Sequence, residues 1–347
     1  MKIASHLIGQ GAPTYIIAEM SANHGQDFNQ AVQIVRAAKE AGADAVKLQT
    51  YTPDTLTLDC DNKYFQIGSG TIWEGRNLHQ LYGEAYTPWD WQPKLKVLAE
   101  ELGMDCFSSP FDFTSVDFLE KMNVPAYKIA SFELVDLPLI RKVAATGKPT
   151  IMSTGMASLG EIEDAVRAFR EAGGNELALL KCTSAYPSPP EEMNLRTIAH
   201  LAEMFHVPAG LSDHTLGITV PVTAVAVGAC IIEKHFTLSR AAGGPDAAFS
   251  LEPQEFKAMV EAVRTAERAL GRVNYDVTKK EQASRMFRRS LFVVRDIAAG
   301  EKFTEQNVRS IRPSHGLAPK HLSEVLGHSA TTAIKRGTPL AWEMIGA

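Results

Sequence analysis

Short apolar runs alternate with longer amphipathic stretches through most of the chain. The runs are YIIAEMS, AVKLQT, DCFSSP, AYKIAS, PTIMST, LALLKCT, PAGLSD and IIEKHF, and their length predicts buried strands. Between them AVQIVRAAKEAGA, WQPKLKVLAEELG, TSVDFLEKM, LIRKVAATG, EIEDAVRAFREAGG and LRTIAHLAEMFH carry apolar residues at helical spacing. The stretch before the last run, ITVPVTAVAVGA, is more apolar and holds a proline in its first turns. Gly42, Gly103, Asn123, Gly147 and Gly173 follow helical stretches and predict left-handed C-terminal caps. Eight strands alternating with helices predict an α/β fold, a (β/α)8 TIM barrel.

After Leu270 the rhythm stops. RVNYDVTKKEQASRMFRRS is polar and basic; SLFVVRDI and the turn signals AAGEKF and KRGTPL then predict a small β domain. The expected organisation is a barrel over 1–272, a linker over 273–289 and a small domain over 290–347.

Nearly every run turns polar where it ends, at Glu19 and Ser21, Gln49, Ser108 and Ser109, Ser131, Ser153, Thr183, Asp213 and His235. Active sites of such barrels lie at that end of the strands. Loops begin there too, which accounts for the serines and threonines. It does not account for Lys47, Lys128, Glu19, Glu233 and Lys234, because a charge inside a strand is costly unless paired.

The chemistry concentrates in a few places. His214, in GLSDHT, and His235, ending IIEKHF, close the seventh and eighth runs. Adjacent strands stand about 4.8 Å apart, so both imidazoles reach one rim and can share a divalent cation. A lone histidine is more often a core or capping residue; two on neighbouring strand ends put metal level with that reading. Asp213 is placed to accept from a ligand histidine and orient it. Lys47 and Lys128, with Ser109, Ser131, Ser153 and Ser212, make a cradle for a small polyanion such as a phosphate ester. A Schiff-base lysine is the rival reading, and spacing does not separate the two. Glu19, Asn23 and His24 in AEMSANHG, and Glu133 in ASFEL, include acids suited to binding hydroxyls or moving protons. Salt bridges to the lysines compete with that use. GGPD, ending at Asp246, is a flexible loop able to close over a ligand, and TPWDWQPKL is a packing cluster at a helix start.

Composition narrows the field. The 347 residues are 45% hydrophobic and 22% charged with a net charge of -5, which argues against nonspecific nucleic-acid binding. No signal-peptide core and no membrane-length apolar run is expected. Cys60, Cys106, Cys182 and Cys230 show no CxxC pairing, so neither a disulfide framework nor a cysteine zinc site is expected, and the expected compartment is the cytoplasm.

Taken in order, AEMSANH, VKLQTY, FSSPFD, YKIASFE, STGM, KCTSAYP, GLSDHT, EKHFT and GPD resemble the sialic acid synthase family from about Tyr15 to Glu252. The tail, with SLFVVRDIAAGEKFTEQNV and SIRPSHGL, looks like the SAF domain, related in fold to type III antifreeze protein. The resemblance implies an enzyme that condenses phosphoenolpyruvate with an N-acetylated amino sugar aldehyde, giving a nine-carbon ulosonic acid and phosphate. It implies Mn2+ or Mg2+ on His214 and His235, polarising the aldehyde, and so favours metal over a Schiff base. Lys47, Ser109, Lys128, Ser131, Ser153, Ser184 and Ser212 match positions around phosphoenolpyruvate, although some members carry Asn where Ser184 stands. Glu19, Gln49, Phe111, Glu133, Tyr186 and Asp246 match the sugar and catalytic neighbourhood, with Glu133 the first candidate for moving a proton and Glu19 the second. Arg312 matches an arginine lent to the partner subunit's site in a domain-swapped homodimer.

Two segments, GTIWEGRNLHQLYGEAYTPWDW and GGPDAAFSLEP, look like the pseudaminic acid synthase branch of that family. The sugar implied is 2,4-diacetamido-2,4,6-trideoxy-altrose, in which a methyl replaces a hydroxyl. Ala247, Ala248 and Phe249 follow GPD where sialic acid synthases more often carry a polar pair, so Phe249 is expected to form an apolar wall beside the methyl. The alternatives are a sialic or legionaminic acid synthase, a Schiff-base aldolase, and a carbohydrate-binding protein with an inactive barrel.

Overall fold

The computed structural model describes residues 1–346. Eight parallel strands close into a barrel: β1 Tyr15–Glu19, β2 Ala45–Thr50, β3 Asp105–Pro110, β4 Tyr127–Ile129, β5 Thr150–Ser153, β6 Leu177–Cys182, β7 Ala209–Asp213 and β8 Ile231–His235. Each pairs with the next, and β8 closes on β1. The expected (β/α)8 architecture is the one observed. Local chemistry sets the helix ends: Asp27 accepts from the backbone N–H groups of Asn29 and Gln30 to start Phe28–Glu40, and Ser158 with Glu161 forms a capping box at Leu159–Glu171. Gly42, Gly103, Asn123, Gly147 and Gly173 all take positive φ, as their positions after helices require.

Two stretches are richer than the sequence pattern suggests. An excursion between β2 and β3 holds the helices Pro53–Leu56 and Leu78–Ala85, and the 18-residue helix Pro253–Leu270 follows β8.

Register decides which side chains face the barrel interior. Residues level on adjacent strands point the same way. Glu19 is level with Lys47 and His235, Gln49 with Ser109, Lys128 with Ile151, and Ser212 with Cys182 and Glu233. The C-terminal third of the interior is therefore polar, while Ile17, Phe107, Ile151, Leu180 and Ile231 fill the middle, all buried. Gly210 is required in that layer, because a Cβ there would lie 2.8 Å from the Ile231 Cβ and 2.9 Å from a Leu180 methyl. At the bottom, an N-terminal hairpin (Lys2–Ile3 with His6–Leu7) brings His6 Nδ1 to 2.8 Å from Asp105 Oδ2, which also accepts from the Tyr15 hydroxyl at 2.7 Å.

A second compact unit begins at Arg272. Its short helix Lys279–Ser284 precedes β9 Ser290–Val293, which pairs antiparallel with β10 Val308–Ile311. Leu291, Val293, Ile297, Phe303, Val308 and Leu340 are among the residues of its own core. Among the described residues no helix is long and apolar enough to cross a membrane, and all four cysteines are free.

Candidate active site

At the C-terminal mouth of the barrel lies a cavity of about 400 Å³. Its floor is a lattice of alternating charge. Glu233 Oε1, from β8, stands 3.1 Å from Lys47 Nζ on β2 and 3.2 Å from Lys128 Nζ on β4, and accepts from Ser212 Oγ at 3.0 Å. Glu19 Oε2 holds Lys47 from the other side at 2.7 Å. All four charged groups are buried. Burial would raise the Glu233 carboxyl, but Lys128 and then Lys47 outweigh it and hold it well below the usual carboxylate range. For Lys47, burial is the largest influence and pulls its pKa down to about 7 against the attraction of Glu233. Around this floor the hydroxyls of Ser109 and Ser153 are buried without a hydrogen-bond partner. Ser131 Oγ accepts from Gly155 N–H at 3.1 Å, and a Cβ on Gly155 would collide with the hydroxyls of both Ser131 and Ser184. Of the seven predicted anion contacts, Lys47, Lys128, Ser131, Ser153 and Ser212 line the cavity. Buried donors without partners are costly unless a ligand completes them.

The histidines meet as expected. The rings of His214 and His235 lie 5.2 Å apart at 55°. His214 Nδ1 is 3.1 Å from the Thr183 carbonyl oxygen, which can only accept; Nδ1 therefore carries the proton and Nε2 keeps a free lone pair. His235 Nδ1 is buried and unpartnered. Burial, reinforced by His214 and Lys47, lowers the His235 pKa well below its ordinary value, favouring the neutral ring that a cation needs. Burial lowers His214 too, but Cys182, whose Sγ is 3.8 Å from Nδ1, outweighs it and raises the pKa. A proton and a cation compete for the same nitrogen there. Among the described residues no cluster of three or more His, Cys, Asp or Glu is close enough to hold a metal. His214 and His235 offer two imidazoles, which would fit a divalent cation taking its other ligands from water and substrate.

The sugar candidates line the outer half. Gln49 Nε2 donates to Ser21 Oγ at 3.0 Å and to Glu19 Oε1 at 3.3 Å, and Ser21 Oγ donates to Asp246. Asp246 is pushed up by burial against that hydrogen bond. Burial raises Glu133 to about 7, and its Oε2 has no partner. Phe111 and Tyr186 also face the cavity. Arg312 is exposed on the second unit, just after β10.

Two expectations need correction. Asp213 does not orient a histidine: it faces the helical layer, where Oδ2 takes Lys234 Nζ at 2.6 Å and Oδ1 accepts from Thr215 N–H at 3.0 Å. Its place on the outward side of β7 follows from the alternation that turns Ser212 inward. Phe249 does not line the cavity; it is 1% exposed and packs 4.8 Å from His235 and 5.1 Å from Tyr186, behind the rings. Asn23 and His24 are structural, Asn23 donating to Phe236 O at 3.0 Å and His24 Nε2 lying 3.2 Å from Thr87 Oγ1.

Sequence reasoning left Glu233 without a role, although its position two residues before His235 on the same strand puts both inside. It also missed Trp73, Tyr51 and Tyr82, which line the cavity from the excursion and the end of β2. A pattern of strands carries no signal for a loop that folds back over the mouth.

Known proteins resemble this chain over most of its length. Residues 34–275 match the NeuB family and residues 288–346 the SAF domain. The pseudaminic acid synthase of Campylobacter jejuni is 48% identical over 94% of this chain and 95% of its own length. That of Helicobacter pylori is 47% identical over 95% of this chain and 97% of its own. A crystal structure of N-acetylneuraminic acid synthetase from Leptospira borgpetersenii superposes with a TM-score of 0.73 at 32% identity, covering 82% of this chain and 94% of that one.

Proposed function

This chain belongs to the NeuB family, and on that premise we propose that it condenses phosphoenolpyruvate with 2,4-diacetamido-2,4,6-trideoxy-altrose and water, releasing pseudaminic acid and phosphate. The observation that carries the reading is the pair of unpartnered hydroxyls, Ser109 and Ser153, beside buried Lys47 and Lys128. They are a site prepared for an anion rich in oxygen. The identity to pseudaminic acid synthases selects the branch.

Lys47 and Lys128 attract the phosphate and carboxylate, and the serines fix their orientation. His214 and His235 would hold a divalent cation, Mn2+ or Mg2+, which would supply Lewis acidity toward the aldehyde oxygen. C3 of phosphoenolpyruvate forms the new C–C bond to the aldehyde carbon. Water then adds at C2, and the bond from C2 to the bridging oxygen breaks, so phosphate departs with that oxygen. Glu133, with a pKa of about 7, takes one proton from the adding water and returns it to the former aldehyde oxygen. The other proton leaves with phosphate as C2 becomes a ketone. Glu19 and Glu233 pair with Lys47, and Glu233 favours its charged form against burial.

The working unit is a homodimer in which the partner subunit's Arg312 completes each cavity. Two exposed apolar sets support it. Phe132 (57%), Val135 (59%), Met156 (62%) and Leu216 (63%) stand out of loops after β4, β5 and β7, and Tyr275 (96%) and Phe287 (57%) out of the start of the second unit. The unpaired cysteines fit a cytoplasmic enzyme.

The lowered pKa of Lys47 favours a second reading, an imine on that lysine. Borohydride added with substrates would trap such an adduct. Phosphate release from phosphoenolpyruvate across a panel of N-acetylated hexoses, with and without chelator, tests the main reading. The trideoxy sugar should be the best substrate and chelator should abolish turnover. Faster release with N-acetylmannosamine would overturn the assignment of the sugar.

A further inference from the structure

The excursion after β2 is braced well beyond what joining two strands requires. Ile67 N–H donates to Arg76 O at 2.8 Å, Gly75 N–H to Ile67 O at 2.9 Å, and Leu78 N–H to Phe65 O at 2.9 Å. Asn77 caps the helix Leu78–Ala85, and its Nδ2 reaches Cys60 O at 2.8 Å. This bracing presents Trp73. Its Nε1 donates to Pro245 O at 3.1 Å, tying the excursion to the loop after β8. Its ring lies 5.4 Å from that of Tyr186, which in turn lies 4.5 Å from His214. Trp73 therefore stands one ring beyond the histidine pair, on a cavity wall shared with Leu56, Ile67 and Leu81.

We infer that Trp73 is a specificity-determining residue, selecting a methyl over a hydroxymethyl at the end of the sugar remote from the aldehyde. The inference rests on the proposed function and deepens it. A six-carbon chain spans about 6 Å from C1 to C6 at ordinary bond lengths. With the aldehyde at the histidines, C6 reaches the wall that Trp73 dominates. A methyl meets the indole face and aliphatic carbons there. A hydroxyl loses water there, and Trp73 Nε1 is already committed to the Pro245 carbonyl. A pocket of this kind discriminates by up to about a hundredfold.

The test compares kcat/KM for 2,4-diacetamido-2,4,6-trideoxy-altrose with that for the same sugar bearing a 6-hydroxyl, in the wild type, Trp73→Ala and Trp73→His. The ratio should fall by about tenfold or more in Trp73→Ala. In Trp73→His, which offers the hydroxyl a partner, the 6-hydroxylated sugar should gain activity relative to the 6-deoxy one. KM for phosphoenolpyruvate should stay at the wild-type value in both. Ratios unchanged in whichever variants fold, with KM for phosphoenolpyruvate and Tm as in the wild type, would overturn the inference. If the wild type uses another N-acetylated hexose instead of the trideoxy sugar, the proposed function fails separately. The ratio for the 6-deoxy form of that hexose against the hexose itself then decides the role of Trp73: a fall in Trp73→Ala supports it and no change overturns it.

Discussion

Glu233 and Lys128 project from strands on opposite sides of the barrel and meet across it, with Oε1 and Nζ 3.2 Å apart. The carboxylate serves Lys47 as well, at 3.1 Å, so it touches both buried cations, of which only Lys47 also has Glu19. Glu233→Gln leaves those cations under-compensated. Removing one partner from a buried ionic group costs about 3–5 kcal/mol, and urea denaturation at pH 7 should show a loss of that order. Saturating phosphoenolpyruvate should stabilise the variant more than the wild type, because the ligand restores negative charge. A loss below about 1 kcal/mol, typical of exposed pairs, would contradict the lattice.

Glu133 gives a pH signature of known sign. Burial raises its folded-state pKa from 4.5 to about 7. Protonation therefore favours the folded state: its contribution is fully present below about 4.5 and is lost as pH rises through 7. Glu133→Gln should match the wild type in stability near pH 4 and exceed it at pH 8, by up to about 3 kcal/mol. Denaturation midpoints of the two proteins across that range check it, other groups cancelling in the difference. The same variant should lose the limb near pH 7 from its kcat/KM profile.

The strand rhythm was legible because all eight barrel strands are buried on both faces and read as apolar runs bounded by glycine and polar ends. Lys47, Lys128 and the two histidines stood out for the same reason: charge or imidazole in a buried strand demands a partner. What could not be read was the direction of individual side chains. Asp213 and Ser212 are neighbours in sequence, yet one faces the helices and the other the cavity, and only register with Glu233 and Lys234 assigns them. Phe249 looked like wall because it follows GPD, but a short 3-10 turn over Ala247–Phe249 tucks it behind His235. The apolar wall comes instead from Trp73, Ile67 and Leu81, which reach the mouth through turns and cross-loop hydrogen bonds with no periodic signature.

The proposed dimer makes a separate prediction. Arg312→Ala and His214→Ala should each be nearly inactive as pure dimers. Co-expressed, half of the randomly paired dimers are mixed, and each has one intact barrel served by an intact Arg312. Activity should return to about a quarter of the wild-type level. Failure of the mixture to exceed either parent would contradict the sharing of Arg312 between subunits.

The fate of one oxygen atom tests the central claim most directly. Phosphoenolpyruvate labelled with oxygen-18 at the position bridging carbon and phosphorus is turned over with the trideoxy sugar, and both products are weighed by mass spectrometry. The label should leave with phosphate, because the cavity brings water to C2 and releases the phosphate group with its bridging oxygen. Label retained in the sugar acid would mean cleavage at phosphorus and would contradict the account.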